Sequence, residues 1–154
     1  MSALRAFIVV AIAAAALPAS AADLCALIAK HGPTVFGTPL QAAPRCEQFG
    51  PARNGAANNA TGSDRLELSV AEVPGADRAI DEMRRDKRDG RTVSDEPTLG
   101  RDAALVRMDK GRVAAFHIAD DKRYVTVQLR ARDGLNDAYV ERARQFAKVV
   151  AAAR

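Results

Sequence analysis

Residues 103–131 constrain the fold more than any other part of the sequence, because three short runs rich in apolar residues are separated there by tight turns. Between residues 124 and 131 every second residue is apolar, which is the period of a strand with one buried face. Asp109-Lys110-Gly111 and Ala119-Asp120-Asp121-Lys122 are typical turn sequences. Strands joined by such short turns pair in antiparallel fashion. The sequence therefore predicts a three-stranded meander over residues 103–108, 113–118 and 124–131.

Further strands are predicted upstream of this meander. Residues 65–73 alternate in the same way and indicate another half-buried strand, which Pro74-Gly75 ends. The first strand is expected to begin near Cys46. Residues 50–63 are rich in Gly, Ala, Asn and Pro and are interpreted as the loop at the tip of a hairpin. Residues 91–97 are polar and fit either a loop or an edge strand.

Three helices complete the set of predicted elements. Asp23 caps a short helix over residues 24–31, which Gly32-Pro33 ends, and a second helix runs from residue 76 to Gly90. A long helix follows Asp133-Gly134, and Arg142 is the only polar residue on its expected inner face (Leu135, Ala138, Tyr139, Arg142, Phe146, Val149 and Val150). The predicted fold class is α+β, a mostly antiparallel sheet of about five strands packed with helices.

Residues 1–22 have the pattern of a secretory signal peptide. Arg5 supplies the positive charge, residues 7–17 are apolar, and Ala19-Ser20-Ala21 offers the small residues that signal peptidase requires. The apolar run is too short to span a bilayer, so no membrane span is expected. A lipid anchor on Cys25 is disfavoured by the charged Asp23 and the bulky Leu24 before it. We expect a periplasmic or secreted protein with a single domain over residues 23–154.

Cys25 and Cys46 are the only cysteines, and in an oxidising compartment they most simply pair with each other. A redox role would favour a C-x-x-C spacing, and a metal site would need more thiols or nearby histidines. The predicted disulfide ties the first helix to the edge of the sheet.

Charge and composition give little support to a nucleic-acid partner. The net charge of +4 is modest, basic and acidic residues are interspersed, and there is no tryptophan among the few aromatic residues. Single-stranded nucleic acid is usually bound by stacking on aromatic side chains. We therefore predict no nucleic-acid partner.

The search for catalytic motifs yields no candidate reaction. The sequence has no G-x-S-x-G motif, no phosphate-binding glycine loop and no EF-hand pattern, and it predicts no enzyme, no metal site and no cofactor. What remains is the outward face of the last two strands. It is either an ordinary solvated sheet surface or a candidate binding face, consisting of His117, Tyr124, Thr126, Gln128 and Arg130.

Several short motifs also carry a family resemblance. Asp23-Leu24-Cys25-Ala26-Leu27-Ile28, Phe36-Gly37, Cys46, Leu99-Gly100-Arg101-Asp102-Ala103-Ala104 and Arg142-x-x-x-Phe146-Ala147 resemble the pattern of LpqN-type secreted bacterial proteins. That resemblance implies a PsbP-like α/β sandwich and an extracytoplasmic accessory or ligand-binding role. It implies no catalytic residues.

Three functions therefore remain open. The first is a non-enzymatic binding or accessory module that contacts a protein partner or small ligand in the cell envelope. The second is an inhibitor of an extracellular hydrolase that inserts the loop at residues 50–63. The third is a small metal-binding protein or enzyme that uses His117 with nearby carboxylates. Oligomeric state is not predicted by any sequence feature.

Overall fold

A computed structural model describes residues 23–59, 65–75, 79–85 and 90–153. The predicted signal peptide at residues 1–22 lies outside the described residues. The described chain is α+β, as the sequence predicts. Its elements in chain order are α1 (Leu24–Phe36), β1 (Arg45–Phe49), β2 (Ala52–Asn58), β3 (Leu66–Pro74), α2 (Ala79–Arg85), β4 (Thr92–Asp95), β5 (Asp102–Met108), β6 (Val113–Ala119), β7 (Arg123–Ala131) and α3 (Asp137–Ala152).

The described strands form one antiparallel sheet in the order β1-β2-β3-β7-β6-β5-β4. Its seven strands exceed the expected number of about five. The meander of β5, β6 and β7 is confirmed, with Phe116 paired to Val127 at its centre. After β3 the chain crosses to the opposite edge at β4 and then returns strand by strand to β7, which pairs with β3.

β2 corrects the interpretation of residues 50–63 as a loop. Residues 52–58 pair with β1 on one side and with β3 on the other. Gly55 explains why a residue of low strand propensity lies within β2. A Cβ atom there would lie 2.8 Å from Cδ1 of Ile28 and 3.0 Å from Sγ of Cys46. The glycine lets α1 approach the sheet closely, and such close approach is a common reason for glycine inside a strand.

α1 is longer than the predicted helix over residues 24–31. It continues through Pro33 and ends at Phe36, and Gly37 takes the left-handed conformation (φ 72°) that caps it. A proline inside a helix removes one hydrogen bond. Burial offsets that loss here, because Val35 and Phe36 beyond the proline are each only 1% exposed. Tertiary packing therefore overrides the local stop signal.

α1 and α3 contact each other, and both pack on the same face of the sheet. The core between them and the sheet includes Leu68, Val127 and Phe116.

The inner face of α3 differs in part from the prediction. Phe146 and Val150 are buried as expected, whereas Ala138 is exposed. The other buried positions of α3 are Val140, Ala143 and Ala147. Alanines occur all round this helix, so its hydrophobic pattern alone does not fix the buried side.

Cys25 and Cys46 form the predicted disulfide, with their Cα atoms 5.9 Å apart. Because β1 is an edge strand, the bond fastens the start of α1 to the edge of the sheet. Within the described residues, no helix is both long enough and apolar enough to cross a membrane.

Candidate functional site

The sheet face opposite α1 and α3 is covered over only part of its width. Near β5 and β6 it is closed, because α2 contacts β5 and the side chains of Val106, Val113 and Ala115 are buried. Ile80 of α2 is buried as well. Toward β7, β3, β2 and β1 the side chains on this face are mostly half-buried or exposed. We call this uncovered part the open face.

The residues of the predicted binding face lie together on this side of the sheet. Tyr124, Thr126, Gln128 and Arg130 are alternate residues of β7 and therefore share one face. His117 of β6 is paired with Thr126. The predicted row is therefore a real row in space, and it runs along the boundary between the covered and the open parts of the sheet.

His117 is engaged with its neighbours. Its Nδ1 atom lies 2.6 Å from the hydroxyl of Tyr124 and 3.3 Å from that of Thr126. The rings of His117 and Tyr124 are stacked, with centroids 5.9 Å apart. Burial, helped by the positive charge of Arg91, lowers the pKa of His117 to about 4. The imidazole is therefore neutral at neutral pH and acts as part of the packing between β6 and β7.

The other ring nitrogen of His117 has no hydrogen-bond partner among the described residues, and it is buried. A metal ion would need further ligands at this position. The described part of the chain contains no group of three His, Cys, Asp or Glu side chains placed to hold a metal ion. The hydrogen-bonding groups that the structure places beside this imidazole are hydroxyls.

The open face contains a shallow groove of about 410 Å³. Its floor is made of short side chains from β2 and β3, and Arg45 and Glu47 of β1 form its outer wall. The lining residues are Arg45, Glu47, Asn54, Gly55, Ala56, Ser69, Val70 and Ala71. Strand pairing sets Thr126 beside Ala71 and Gln128 beside Ser69, so the predicted row on β7 borders this groove.

The groove combines three kinds of recognition chemistry. Asn54 can donate and accept hydrogen bonds, and so can Ser69. Arg45 and Glu47 place opposite charges on one wall, two residues apart on the same strand. The small side chains of the floor leave room for a ligand to approach the backbone. This set suits binding, since it holds no nucleophile beside a general base.

Sequence reasoning did not find the four polar residues of the groove. Their proximity depends on β2 lying between β1 and β3, whereas the composition of residues 50–63 predicts a loop. Arg45, Glu47, Asn54 and Ser69 are spread over 25 positions of the chain and match no motif. No local signal would have identified them.

A second cavity, of about 260 Å³, lies beside the end of α3 and contains both Arg123 and Asp120. The guanidinium of Arg123 donates to the backbone carbonyls of Ala151 and Ala153 at 2.8 and 2.9 Å. Burial opposes the charged form of Asp120, but hydrogen bonds from the backbone N–H groups of Lys122 and Arg123 outweigh it and lower the pKa of Asp120. These charges cap the helix and hold the β6–β7 turn, so this cavity has a structural explanation.

Comparison with known proteins yielded no relative. No protein-family model matches the chain. No similar sequence was found among curated proteins, and no similar fold was found among solved structures. The resemblance to LpqN-type proteins stays a prediction.

Proposed function

We propose that this protein is a periplasmic or secreted, non-enzymatic binding module that takes a protein segment or a small ligand on the open face. The observation that carries the proposal is the unequal covering of the sheet. Two helices close one face, whereas the other face keeps a polar groove over β1, β2 and β3. Binding sites are typically concave, with a few polar groups set among apolar ones.

The disulfide supports the location that this proposal requires. Structural disulfides persist in oxidising compartments such as the periplasm and the extracellular space. A signal peptide at residues 1–22 would deliver the chain there. The same bond fastens β1, the strand that carries Arg45 and Glu47, to α1.

The two alternatives have weaker structural support. An inhibitor that inserts residues 50–63 would need a free loop, but residues 52–58 form β2 inside the sheet. A metal protein built on His117 would need carboxylates near the imidazole, whose described hydrogen-bonding neighbours are the hydroxyls of Tyr124 and Thr126. The open face is therefore the better candidate.

Site-specific photocrosslinking in the cell envelope tests the proposal. A photoreactive residue at Ser69 would report contacts in the groove, and the same residue at Gln145, exposed on α3, would be the matched control. We expect a discrete crosslinked species, or a retained small molecule, at Ser69 and none at Gln145.

A variant that fills the groove provides a second test within the same crosslinking experiment. Ala71→Arg places a long side chain on the groove floor and should abolish the Ser69 crosslink while the thermal unfolding midpoint stays close to that of the parent protein. Equal crosslinking at Ser69 and Gln145, or a Ser69 adduct that survives Ala71→Arg in a folded protein, would count against the open face.

A further inference from the structure

The outer edge of the sheet at β1 is exposed along its whole length. β1 is the first strand in the sheet order, and among the described strands it pairs only with β2. All five of its residues are exposed. An edge strand of this kind presents free backbone N–H and C=O groups, and these can pair with a further strand.

The hydrogen-bond pattern of the sheet identifies which backbone groups of β1 point outward. The N–H of Asn59 donates to the carbonyl of Leu66, its partner on β3. In an antiparallel pair, hydrogen-bonded and non-bonded residue pairs alternate, so every second residue of β2 bonds to β3 and the residues between them bond to β1. It follows that Arg45, Glu47 and Phe49 bond to β2. The peptide groups of Cys46 and Gln48 therefore point away from the sheet.

The side chains of β1 on the open face carry an unusual pattern. Arg45, Glu47 and Phe49 are alternate residues and lie on the same face. Neither Arg45 nor Glu47 forms an ion pair with another residue of the described chain. Phe49 is 61% exposed, the highest value for a large apolar side chain in the described part. The strand thus presents one cation, one anion and one aromatic ring on the same face. Neither charge has an ion-pair partner among the described residues.

We propose that β1 is a dimerisation strand, through which two copies of this chain pair in antiparallel fashion about a twofold axis. The register places Cys46 opposite Cys46 of the partner subunit. Arg45 then lies opposite the partner's Glu47, and Glu47 lies opposite the partner's Arg45. Opposite charges that face each other across paired strands stabilise the pairing, and like charges destabilise it.

This register also pairs the outward backbone groups of Cys46, which exchanges two hydrogen bonds with the partner's Cys46. Gln48 lies opposite the partner's Pro44. Within each subunit the carbonyl oxygen of Pro44 lies 3.4 Å from Sγ of Cys25, so it is already in contact with α1. Pro44 has no N–H to leave unpaired. A shift that placed Glu47 opposite the partner's Glu47 would bring two carboxylates together. The register centred on Cys46 is the one that sets both Arg45 and Glu47 opposite a residue of the other charge.

The dimer would be closed, and it would enlarge the candidate binding surface. A twofold axis uses the same strand of both copies, so no further copy can add at that edge. Phe49 would come to lie beside the partner's Ala43, and the two grooves, each walled by β1, would lie next to each other on one continuous sheet. This proposal does not depend on the open face being a binding site.

Charge reversal with rescue tests the pairing in the oxidised protein covering residues 23–154. Sedimentation equilibrium should show a concentration-dependent dimer for the parent protein. Arg45→Glu alone, or Glu47→Arg alone, sets like charges opposite each other twice, by symmetry, and should weaken the dimer at least about tenfold. The double variant Arg45→Glu/Glu47→Arg restores both opposite-charge pairs and should restore dimerisation.

A backbone variant separates pairing from folding. Gln48→Pro removes an N–H that makes no hydrogen bond within the sheet, so the monomer should keep its unfolding midpoint while the dimer is lost. The exposed Ser94 on the opposite edge strand β4 offers a matched control position, and Ser94→Arg should leave the dimer unchanged.

Several outcomes would overturn the proposal. One is a protein that stays monomeric up to its highest attainable concentration. Another is a dimer that tolerates Gln48→Pro and both single reversals. A dimer that Ser94→Arg disrupts more than Arg45→Glu would place the interface at β4 and would equally exclude β1.

Discussion

At the scale of single residues, His117 makes the stability of this protein depend on pH. Its pKa is lowered to about 4 from the usual 6.5, chiefly because the imidazole is buried. Above pH 6.5 the ring is neutral in both the folded and the unfolded chain, so its titration does not change the free energy of unfolding. Between pH 6.5 and 4 only the unfolded chain takes up the proton. We expect the free energy of unfolding to fall by about 3 kcal/mol across this window. Below pH 4 the ring is protonated in both states, so its contribution changes no further.

Urea unfolding at a series of pH values measures this effect, and His117→Gln is the test variant. That variant should be less sensitive to pH between 6.5 and 4 than the parent protein. A parent protein whose stability is flat across this window would show that the buried imidazole is not the cause.

Arg144 and Glu96 form the other informative contact at this scale. Nε and Nη2 of Arg144 donate to the two carboxylate oxygens of Glu96 at 3.0 and 2.9 Å, and Glu96 is only 7% exposed. Removing the guanidinium leaves a nearly buried carboxylate without this partner. Arg144→Ala should therefore reduce the free energy of unfolding by about 1–3 kcal/mol.

Arg107 provides the comparison for Arg144. Arg107 also pairs with a residue of α3, but the side chain of its partner Asp137 is 98% exposed. Exposed pairs contribute little, so chemical denaturation of Arg107→Ala should show a loss of less than about 1 kcal/mol. If the two alanine variants lost equal stability, burial would not be what distinguishes the Glu96 contact.

At the scale of elements, the disulfide joins α1 to β1 across 21 positions of the chain. Closing a loop of that length is expected to stabilise the folded state by about 3 kcal/mol, mainly by restricting the unfolded chain. Reduction, or the double variant Cys25→Ala/Cys46→Ala, should lower the denaturant midpoint accordingly. Binding at the proposed open-face site should persist. Equal midpoints with and without reductant would contradict this role.

Some elements could be predicted from the sequence because local patterns and packing agree in them. β7 alternates between buried residues and half-buried or exposed ones, β5 and β6 are short apolar runs, and their turns force neighbouring strands together. β2 could not be predicted, since Gly55 and its small neighbours have low strand propensity and owe their conformation to β1, β3 and α1. Pro33 likewise marks a helix end by local rules, yet the burial of Val35 and Phe36 carries α1 past it.

The residues of the candidate site likewise fall into those that local spacing places correctly and those that only long-range strand pairing brings together. Tyr124, Thr126 and Gln128 could be placed on one face because their spacing along a single strand determines it. His117 joined them through a short hairpin. Arg45 and Ser69 could not be placed near each other, because three strands must pair correctly before these two residues share a groove. Long-range pairing is therefore the part of the site that local sequence reasoning leaves undetermined.

At the scale of the whole molecule, strand order predicts a gradient of local stability. β7 lies in the interior of the sheet between β3 and β6, and it also contacts α3. β4 is an edge strand of four residues. Native-state hydrogen exchange should be slowest at the amides of Val125 and Val127 and faster at β4, because interior strands open only with the whole domain.

The disulfide adds a second expectation to this gradient, since it prevents β1 from separating freely from α1. In the oxidised monomer the amides of Arg45 and Glu47, which bond to β2, should be protected despite their position at the edge. The outward amide of Gln48 should exchange rapidly at low protein concentration. Reduction should speed exchange at Arg45 and Glu47 while leaving Val127 slow. If reduction speeded all three amides equally, the edge and the centre of the sheet would belong to one cooperative unit, and the disulfide would act on global unfolding alone.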